Sequence, residues 1–414
     1  MSDSPYPSMT STSHPPRYRW VVFGVWVICS VSGFMVVSTV GILLPSISSD
    51  LHLSPAQQGI LGSAAFWGNL ALAIPLTWWA SRFRLKPLTT LTLALGTCSL
   101  FLQGWSPIFI VLILGRLTFG LSVVAREPAR AMLLRQWFRP HEVIWAQSIG
   151  AAMFGVVVGG GILVTPYILD AFGDSWRATF NIFAIAFVIL TVIWIISGRE
   201  QAELEADSTN QSQSGIIQRA LSYRDVWITS FGFLGATFAW SGFVGFLPTL
   251  LLESSDISLH WSGLILAIFI IIGGVAGLFL ARAAMAVNNR RYFLQSLGIL
   301  MACTYIGMTL TSSVPLLLIL SVLNGLAWGF WPILHSVPFQ LPGIRTREIA
   351  VALALITMMI AAGTALGPLV TGFLQETTGS LKTALVIIGV APISLTISGT
   401  LLSLMAQQVR PVSS

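Results

Sequence analysis

One permanently charged side chain lies within an apolar stretch of the chain. Arg116 belongs to the run LILGRLTFGL at 112–121. The guanidinium is planar and always charged, and its fork of N–H donors matches a carboxylate or a small oxyanion. An arginine at the centre of a membrane helix costs about 2.5–3.5 kcal/mol if it faces lipid. Arg116 is therefore predicted to face a protein interior or a water-filled cavity, where it binds an anion or, alternatively, backbone carbonyls of a neighbouring helix.

A stripe of polar and aromatic residues occurs at helical spacing late in the chain. Its members, at i, i+4, i+7 and i+11, are Asn324, Trp328, Trp331 and His335. This spacing places all four on one face of a helix. The matching face 208 residues earlier carries Arg116, Gly120, Val123 and Glu127. We expect both faces to line one cavity, with Asn324 at the depth of the ligand and His335 near the mouth. The alternative is that the tryptophans only pack and His335 is an interface residue.

Two other predicted helices each place hydroxyl and indole groups on one face. The first helix supplies Trp26 and Ser30, and the seventh supplies Thr237, Trp240 and Ser241. The hydroxyls are expected to donate neutral hydrogen bonds to a ligand, and the indoles are expected to form flat apolar walls. Asn69 and Gln147 are the remaining polar side chains at a useful depth. Packing between helices is the alternative role for each of these residues.

Charged residues cluster where the fourth predicted helix ends. Glu127 is close in sequence to Arg130, and the loop after the second helix adds Arg82 and Arg84. An ion pair that forms when one end of the cavity closes, and breaks when it opens, would gate the cavity together with His335. Exposed ion pairs contribute about 0–1 kcal/mol each, which suits a reversible switch. A solvated cluster that only marks the topology is the alternative.

The elements that must position these residues are long apolar helices. Of 414 residues, 55% are hydrophobic and 9% are charged, against about 25% charged in a typical soluble domain. The apolar residues form continuous blocks of about 20 residues, the length at which a helix crosses a hydrocarbon core. The chain is therefore predicted to be an all-α membrane protein with twelve transmembrane helices. The blocks are 20–44, 58–80, 88–103, 108–128, 143–168, 178–198, 226–252, 261–283, 292–311, 316–336, 348–373 and 383–405.

The sequence contains an internal repeat. Ser48-Ser49-Asp50 precedes the second helix and Ser254-Ser255-Asp256 precedes the eighth, 206 residues later, and the same offset relates Glu142 to Glu348. Six helices per copy is an even number, so the copies are expected to form two parallel six-helix bundles. The predicted segments are a disordered tail at 1–19, a first bundle at 20–198, a cytoplasmic linker at 199–224, a second bundle at 225–405 and a tail at 406–414.

The distribution of basic residues indicates the orientation. If both termini are cytoplasmic, eighteen of the 21 Lys and Arg residues fall on the cytoplasmic side, Arg177 and Lys382 fall on the other side, and Arg116 falls within the membrane. Such a bias follows the positive-inside rule. We therefore expect a multi-pass protein of the cell membrane (inner or plasma) with cytoplasmic N and C termini. The basic pI then indicates topology and not a nucleic-acid partner.

The local motifs, together with this layout, resemble those of the major facilitator superfamily. Gly115-Arg116 followed by Pro128 and Trp137-Phe138 is similar to the arginine-bearing fourth helix of that family. The resemblance covers essentially the whole chain. It implies a carrier in which the first, fourth, seventh and tenth helices line a central cavity. The loop after the second helix departs from the family pattern, because Thr77 and Ser81 replace its first glycine and its aspartate.

Further motifs bear on packing and on coupling. Gly363-x-x-x-Gly367 in the eleventh helix is similar to a family glycine motif, and the fifth helix carries Gly155-x-x-x-Gly159. Such glycines permit close helix contact, so we expect them to pack and slide and not to bind ligand. In the sialin-like organic-anion branch a glutamate follows the helix-four arginine by seven positions, where this chain has Val123. The sequence therefore disfavours proton coupling through a membrane carboxylate.

The sequence favours an alternating-access carrier for a small organic or inorganic anion, with Arg116 as the counter-charge. The protein is expected to act in a lipid bilayer as a monomer, without a cofactor or a metal. It is not expected to be an enzyme, because it lacks a Gly-x-x-x-x-Gly-Lys phosphate loop and its histidines and cysteines lack metal-ligand spacing. Two alternatives stay open. One is an efflux carrier for amphipathic or hydrophobic compounds, suggested by 15 Trp and 24 Phe, and the other is a non-transporting membrane receptor or scaffold.

Overall fold

The computed structural model describes residues 18–80, 82–138, 140–200, 213–286 and 290–402, and within these ranges every regular element is a helix. Twelve long helices follow one another, three of them in two segments. They are α1 (Tyr18–Leu51), α2 (Pro55–Ala80), α3 (Leu85–Gly104), α4 (Phe109–Val124 and Glu127–Trp137), α5 (Pro140–Ala171), α6 (Trp176–Ser197), α7 (Arg224–Ser255), α8 (Leu259–Ala286), α9 (Arg290–Leu310), α10 (Val314–Ala327 and Phe330–His335), α11 (Thr346–Thr378) and α12 (Leu381–Gly389 and Ile393–Leu401). A short helix at Gln213–Ser222 precedes α7, and a 3-10 helix at Val337–Gln340 follows α10.

The helices run alternately between two faces of the molecule. We call the face with the start of α1 and the end of α12 the terminal face, and the face with the α1–α2 connection at 52–54 the opposite face. Among the described residues, eleven helices are long and apolar enough to cross a membrane. The twelfth, α2, extends over 26 residues. The prediction of twelve transmembrane helices in two parallel bundles, α1–α6 and α7–α12, is confirmed.

Several helices begin before the apolar block that predicts them, because a polar cap adds residues at the start. The block for α6 starts at 178, yet the helix begins at Trp176, where Ser175 Oγ accepts a hydrogen bond from the backbone N–H of Ala178. Ser380 caps α12 in the same way through the N–H of Thr383. A serine at this position satisfies a backbone donor that the helix itself leaves free.

Two helices, α4 and α10, are interrupted at corresponding places in the two bundles. The first segment of α4 ends at Val124 and the second begins at Glu127, followed by Pro128. The first segment of α10 ends at Ala327 and the second carries Pro332 in its first turn. Proline is tolerated in a first turn, where its missing N–H is not needed. In α10, Gly325 and Gly329 before this proline also favour a bend.

The glycine motifs of α5 and α11 lie where these helices pack most closely on their neighbours. A Cβ placed on Gly155 would lie 3.0 Å from the Cα atom of Gly274 in α8, so the two backbones are nearly in contact. In α11, Gly363 and Gly367 face the hydroxyls of Thr237 and Ser241 in α7. Small residues let membrane helices approach in this way. The predicted packing role of these glycines is confirmed.

The contact between Gly155 and Gly274 gives a test of this packing. We expect Gly155→Ala to lower the Tm of the purified protein in detergent, because the added methyl group has no space and overpacking costs about 1–3 kcal/mol. Gly160→Ala in the same helix is the matched control, since nothing lies within 4 Å of a Cβ at that position. Equal Tm values for the two variants would contradict the close contact of α5 with α8.

Candidate functional site

Arg116 is completely buried in the first bundle. Its Nη2 atom donates a hydrogen bond of 3.4 Å to the carbonyl oxygen of Val37 in α1. Among the described residues, neither Nε nor Nη1 has a hydrogen-bond partner. Arg116 thus faces the protein interior, one of its two predicted surroundings, and its guanidinium is not exposed to solvent in this conformation. Pairing with backbone carbonyls, the alternative role predicted for Arg116, is incomplete, because one long hydrogen bond satisfies only one of the three guanidinium nitrogens.

A pocket lies next to Arg116, at the side of the bundles that is nearer the opposite face. Its cavity volume is about 20 Å³, room for about one water molecule, and part of it is open to solvent. Four helices from both bundles supply its lining, which includes Val37 and Gly41 of α1, Phe66 of α2, Trp240 and Ser241 of α7 and Pro368 of α11. Because Val37 both lines the pocket and accepts the hydrogen bond from Arg116, the guanidinium lies directly behind a pocket wall.

The two hydroxyl groups of α7 are partly engaged in packing. Thr237 Oγ1 donates to the carbonyl oxygen of Phe233 at 2.9 Å, and Ser241 Oγ donates to that of Phe238 at 3.2 Å. Both face the glycines of α11. Only Ser241 of this pair also lines the pocket. The structure therefore places Thr237 in the α7–α11 contact, which differs from its predicted position beside a ligand.

The two candidates from α1, Trp26 and Ser30, are both buried between helices and do not line this pocket. In the described part of the molecule the indole Nε1 of Trp26 has no hydrogen-bond partner. Gln147 in α5 has an exposed side chain. Asn69 is in α2, but its side chain lies outside the described residues.

Tryptophans form a continuous row from the pocket towards the terminal face. Trp240, which lines the pocket, has its ring centroid 6.3 Å from that of Trp328, and Trp328 stacks on Trp331 at 6.1 Å. Phe233 links Trp331 to His335, with centroid distances of 4.8 and 6.2 Å. Trp331 is 36% exposed. The structure thus brings three of the four predicted stripe residues of α10 into one wall.

Asn324 is the stripe residue that lies elsewhere. It is completely buried, and its Nδ2 atom donates a 2.7 Å hydrogen bond to Thr304 Oγ1 in α9. The predicted position of Asn324 at the depth of a ligand in the cavity is not found in this conformation. The side chain of Asn324 is instead directed at α9, a contact that the spacing along α10 does not predict.

A second buried arginine was missed by sequence reasoning. Arg126 lies at the interruption of α4 and is completely buried. Its Nη1 donates to the carbonyl oxygen of Cys29 in α1 at 2.6 Å, and its Nε donates to Thr92 Oγ1 in α3 at 3.1 Å. The sequence analysis did not single out Arg126, which adjoins the charged residues at the end of the predicted fourth helix. The only available signal was the Glu-Pro pair that follows it, which is typical of a new helix start.

The predicted gating residues lie towards the terminal face. Glu127, Arg130, Arg82 and Arg84 have exposed side chains, and His335 is half-buried. The charge of Arg130 acts on Glu127 in its own bundle and on His335 in the other bundle. Within the described ranges Glu127 makes no ion pair shorter than 4.0 Å. The cluster therefore includes residues of both bundles.

Two carboxylates join the bundles at the opposite face. Asp170 at the end of α5 pairs with His260 at the start of α8, with 3.0 Å between Oδ2 and Nε2. Glu376 at the end of α11 accepts a 2.8 Å hydrogen bond from the backbone N–H of Ala56 at the start of α2. Asp170 and Glu376 are 206 residues apart, the offset of the internal repeat. The opposite face is thus held closed by a pair of symmetry-related contacts.

A family model, related proteins and a solved structure each match most of this chain. A family model described as Major Facilitator Superfamily matches residues 26–347. The "Probable galactarate/D-glucarate transporter GarP" of Escherichia coli (strain K12) is 24% identical over 417 residues, which cover 90% of this chain and 91% of that protein. The "Probable galactarate/D-glucarate transporter GudP" of Bacillus subtilis (strain 168) is 23% identical, with coverage of 96% and 94%. A crystal structure of a bacterial homolog of the human lysosomal transporter Spinster, inward-facing and unoccupied, has a TM-score of 0.72 at 17% identity and covers 95% of this chain and 97% of that one.

The two carboxylate contacts at the opposite face can be tested together. We expect the double variant Asp170→Asn and Glu376→Gln to label faster than the parent protein when Ser241→Cys is exposed to a membrane-impermeant thiol reagent from that face. The reason is that removing both charges weakens the contacts that close the face. Asp174→Asn, on the same face, is the control, because Asp174 makes no such contact in the described part of the chain. Unchanged labelling in the double variant would show that these contacts do not hold the face closed.

Proposed function

Because the chain belongs to the major facilitator superfamily, we propose that it carries a small organic or inorganic anion across a membrane by alternating access of its two bundles. The observation that carries this proposal is the incomplete pairing of Arg116. Its guanidinium is buried, and two of its nitrogens lack partners among the described residues. A buried charge without partners is strongly unfavourable, and an anion in the adjacent pocket would supply them.

Binding at this site requires Arg116 to reach the pocket during the transport cycle. Val37, its single hydrogen-bond partner, is a pocket wall, so a small shift of α1 against α4 would expose the guanidinium to the pocket. The hydrogen bond to Val37 is long at 3.4 Å and is therefore weak. A bidentate carboxylate would form two shorter, charge-assisted bonds in its place.

The names of the relatives support an organic anion. GarP and GudP are named as transporters of galactarate and D-glucarate, which are acids, and their alignments cover nearly the whole chain. The alternative of an efflux carrier for amphipathic compounds gains support only from the tryptophan row. A receptor or scaffold on a carrier fold would bind the anion without moving it. Flux of a labelled anion into liposomes separates that alternative from a carrier.

The charge distribution and the internal repeat suggest how the protein is oriented and how its bundles move. We propose that both termini are cytoplasmic, because basic residues are in excess on the terminal face. We also propose that the protein acts as a monomer in the inner or plasma membrane. The bundles at 20–198 and 225–405 would rock about the pocket, with the linker at 199–224 between them. On this orientation the closed opposite face is the outer one.

Replacement of Arg116 tests the proposed function directly. We expect Arg116→Leu to abolish anion uptake into proteoliposomes, because no described cation lines the pocket in its place, and Arg116→Lys to retain a small fraction of it. The Tm should stay the same or rise, since the leucine removes a buried charge with little pairing. Full uptake by Arg116→Leu would contradict the proposal.

Arg126 supplies the matched control for this measurement. It is equally buried and in the same helix, but it makes two good hydrogen bonds to α1 and α3. We expect Arg126→Leu to lower the Tm, because the carbonyl of Cys29 and the hydroxyl of Thr92 lose their donor. A loss of uptake that accompanies a large drop in Tm, as expected for Arg126→Leu, would identify a structural arginine. Loss of uptake at unchanged Tm identifies a ligand-binding one.

A further inference from the structure

Ser38 of α1 lines the pocket, and its hydroxyl is not paired within the protein. The residue is buried, with 6% of its surface exposed. In the described part of the chain, no hydrogen bond joins its Oγ atom to another residue. A hydroxyl without a partner in a membrane interior is unfavourable. Because this one lies at a pocket wall, a ligand in the pocket would supply the missing partner.

The unpaired hydroxyl distinguishes Ser38 from its neighbours in α1. A serine or threonine within a helix commonly donates to a carbonyl oxygen one turn earlier. Ser32 Oγ donates in this way to the carbonyl oxygen of Ile28 at 2.7 Å. Thr39 Oγ1 donates to the carbonyl oxygen of Val36 at 3.0 Å. These two hydroxyls are satisfied within the helix, whereas that of Ser38 is left for the pocket.

The internal repeat gives Ser38 a counterpart in the second bundle, and the two serines are used differently. Val37-Ser38 in α1 and Trp240-Ser241 in α7 are 203 residues apart in sequence, and all four residues line the pocket. Ser241 Oγ donates to the carbonyl oxygen of Phe238 at 3.2 Å and faces a glycine of α11. The second bundle thus uses its hydroxyl in helix packing, and the first bundle does not.

The packing of α1 on α5 explains why the hydroxyl of Ser38 remains free. Gly367 of α11, which faces Ser241, corresponds to Gly161 of α5 at the repeat offset of 206 residues. A Cβ at Gly161 would meet the side chain of Met35. Because methionine covers this glycine in the first bundle, Ser38 is not needed for the contact.

Ser38 also belongs to the part of α1 that borders Arg116 and the second bundle. It directly follows Val37, whose carbonyl oxygen accepts the hydrogen bond from Arg116. One turn later, Gly41 packs against the backbone of Val244 in α7. A ligand that replaces Val37 as the partner of Arg116 therefore reaches the turn of α1 that carries Ser38.

We infer that Ser38 is a ligand-binding residue whose hydroxyl donates a hydrogen bond to the anion that pairs with Arg116. This role rests on the proposed anion function and adds a second donor to the same site. A carboxylate offers about four lone-pair positions, and a bidentate guanidinium uses two of them. The pocket lining is mainly apolar side chains and glycines, so the Ser38 hydroxyl would serve a third position without adding charge.

Removal of the hydroxyl tests this role. We expect Ser38→Ala to weaken galactarate binding to the purified protein, measured by calorimetry, at least about tenfold, because a hydrogen bond to a charged group is stronger than a neutral one. The Tm should not fall, since the hydroxyl has no protein partner to lose. Thr39→Val is the matched control, because its hydroxyl is paired within α1 and Thr39 does not line the pocket. Parental affinity in Ser38→Ala, or an equal loss in Thr39→Val, would overturn the assignment.

A double-mutant cycle tests whether Ser38 and Arg116 hold the same anion. Residues that share one ligand group have coupled effects on binding, whereas the effects of independent residues add. We expect the factor lost through Ser38→Ala to be at least about threefold smaller in the Arg116→Lys background than in the parent protein. An equal or larger factor in that background would overturn the pairing of Ser38 with the anion.

Failure of the Ser38 assignment can be told apart from failure of the proposed function. If Arg116→Leu abolishes galactarate binding and Ser38→Ala leaves it unchanged, the anion site stands and the role of Ser38 falls. If neither galactarate nor inorganic phosphate binds in a manner that depends on Arg116, the proposed function falls and takes the role of Ser38 with it.

Discussion

A guanidinium in an apolar bundle must find partners for its donors, and Arg116 finds one carbonyl oxygen for three nitrogens. The surroundings of Arg116 bear on this lack of hydrogen-bond partners. Helix α1 covers the charge and keeps it away from lipid, while the same stretch of α1 forms a wall of the pocket. Shielding a cation without satisfying it is unfavourable, and the proposed ligand would remove this cost in the bound state.

The two bundles share their architecture and differ in their chemistry. The internal repeat appears in the interrupted helices α4 and α10, in the serine caps of α6 and α12, and in the carboxylates Asp170 and Glu376 that close the opposite face. Among the side chains that the structure describes, however, the completely buried arginines belong to the first bundle, and the second presents tryptophans beside the pocket. The two copies of the repeat thus differ in chemistry, with buried arginines in the first bundle and tryptophans beside the pocket in the second.

The sequence predicted the architecture well because its signals are strong and local. Block length determines where helices cross a membrane, and glycine spacing indicates close packing, as Gly155 and Gly367 illustrate. Arg116 could be singled out since a lone charge among apolar residues has few possible locations. These inferences need only the positions of residues along one helix.

The predictions that failed depend on how one helix is oriented against the next. Asn324 is directed at Thr304 of α9, a partner that the spacing along α10 does not reveal. Thr237 faces α11 because its hydroxyl fits against a glycine that is more than a hundred residues away in sequence. Arg126 is buried by contacts with α1 and α3, which its position along α4 does not reveal. Contacts of this kind require knowledge of the partner helix.

The central claim is that an anionic ligand supplies the partners that Arg116 lacks. A structure determined with galactarate bound would test it most directly, through the distances from the carboxylate oxygens to the guanidinium nitrogens. The account predicts a carboxylate at about 2.7–2.9 Å from two of these nitrogens, with the hydrogen bond to Val37 broken. A carboxylate bound elsewhere, with Arg116 still covered by α1, would contradict it.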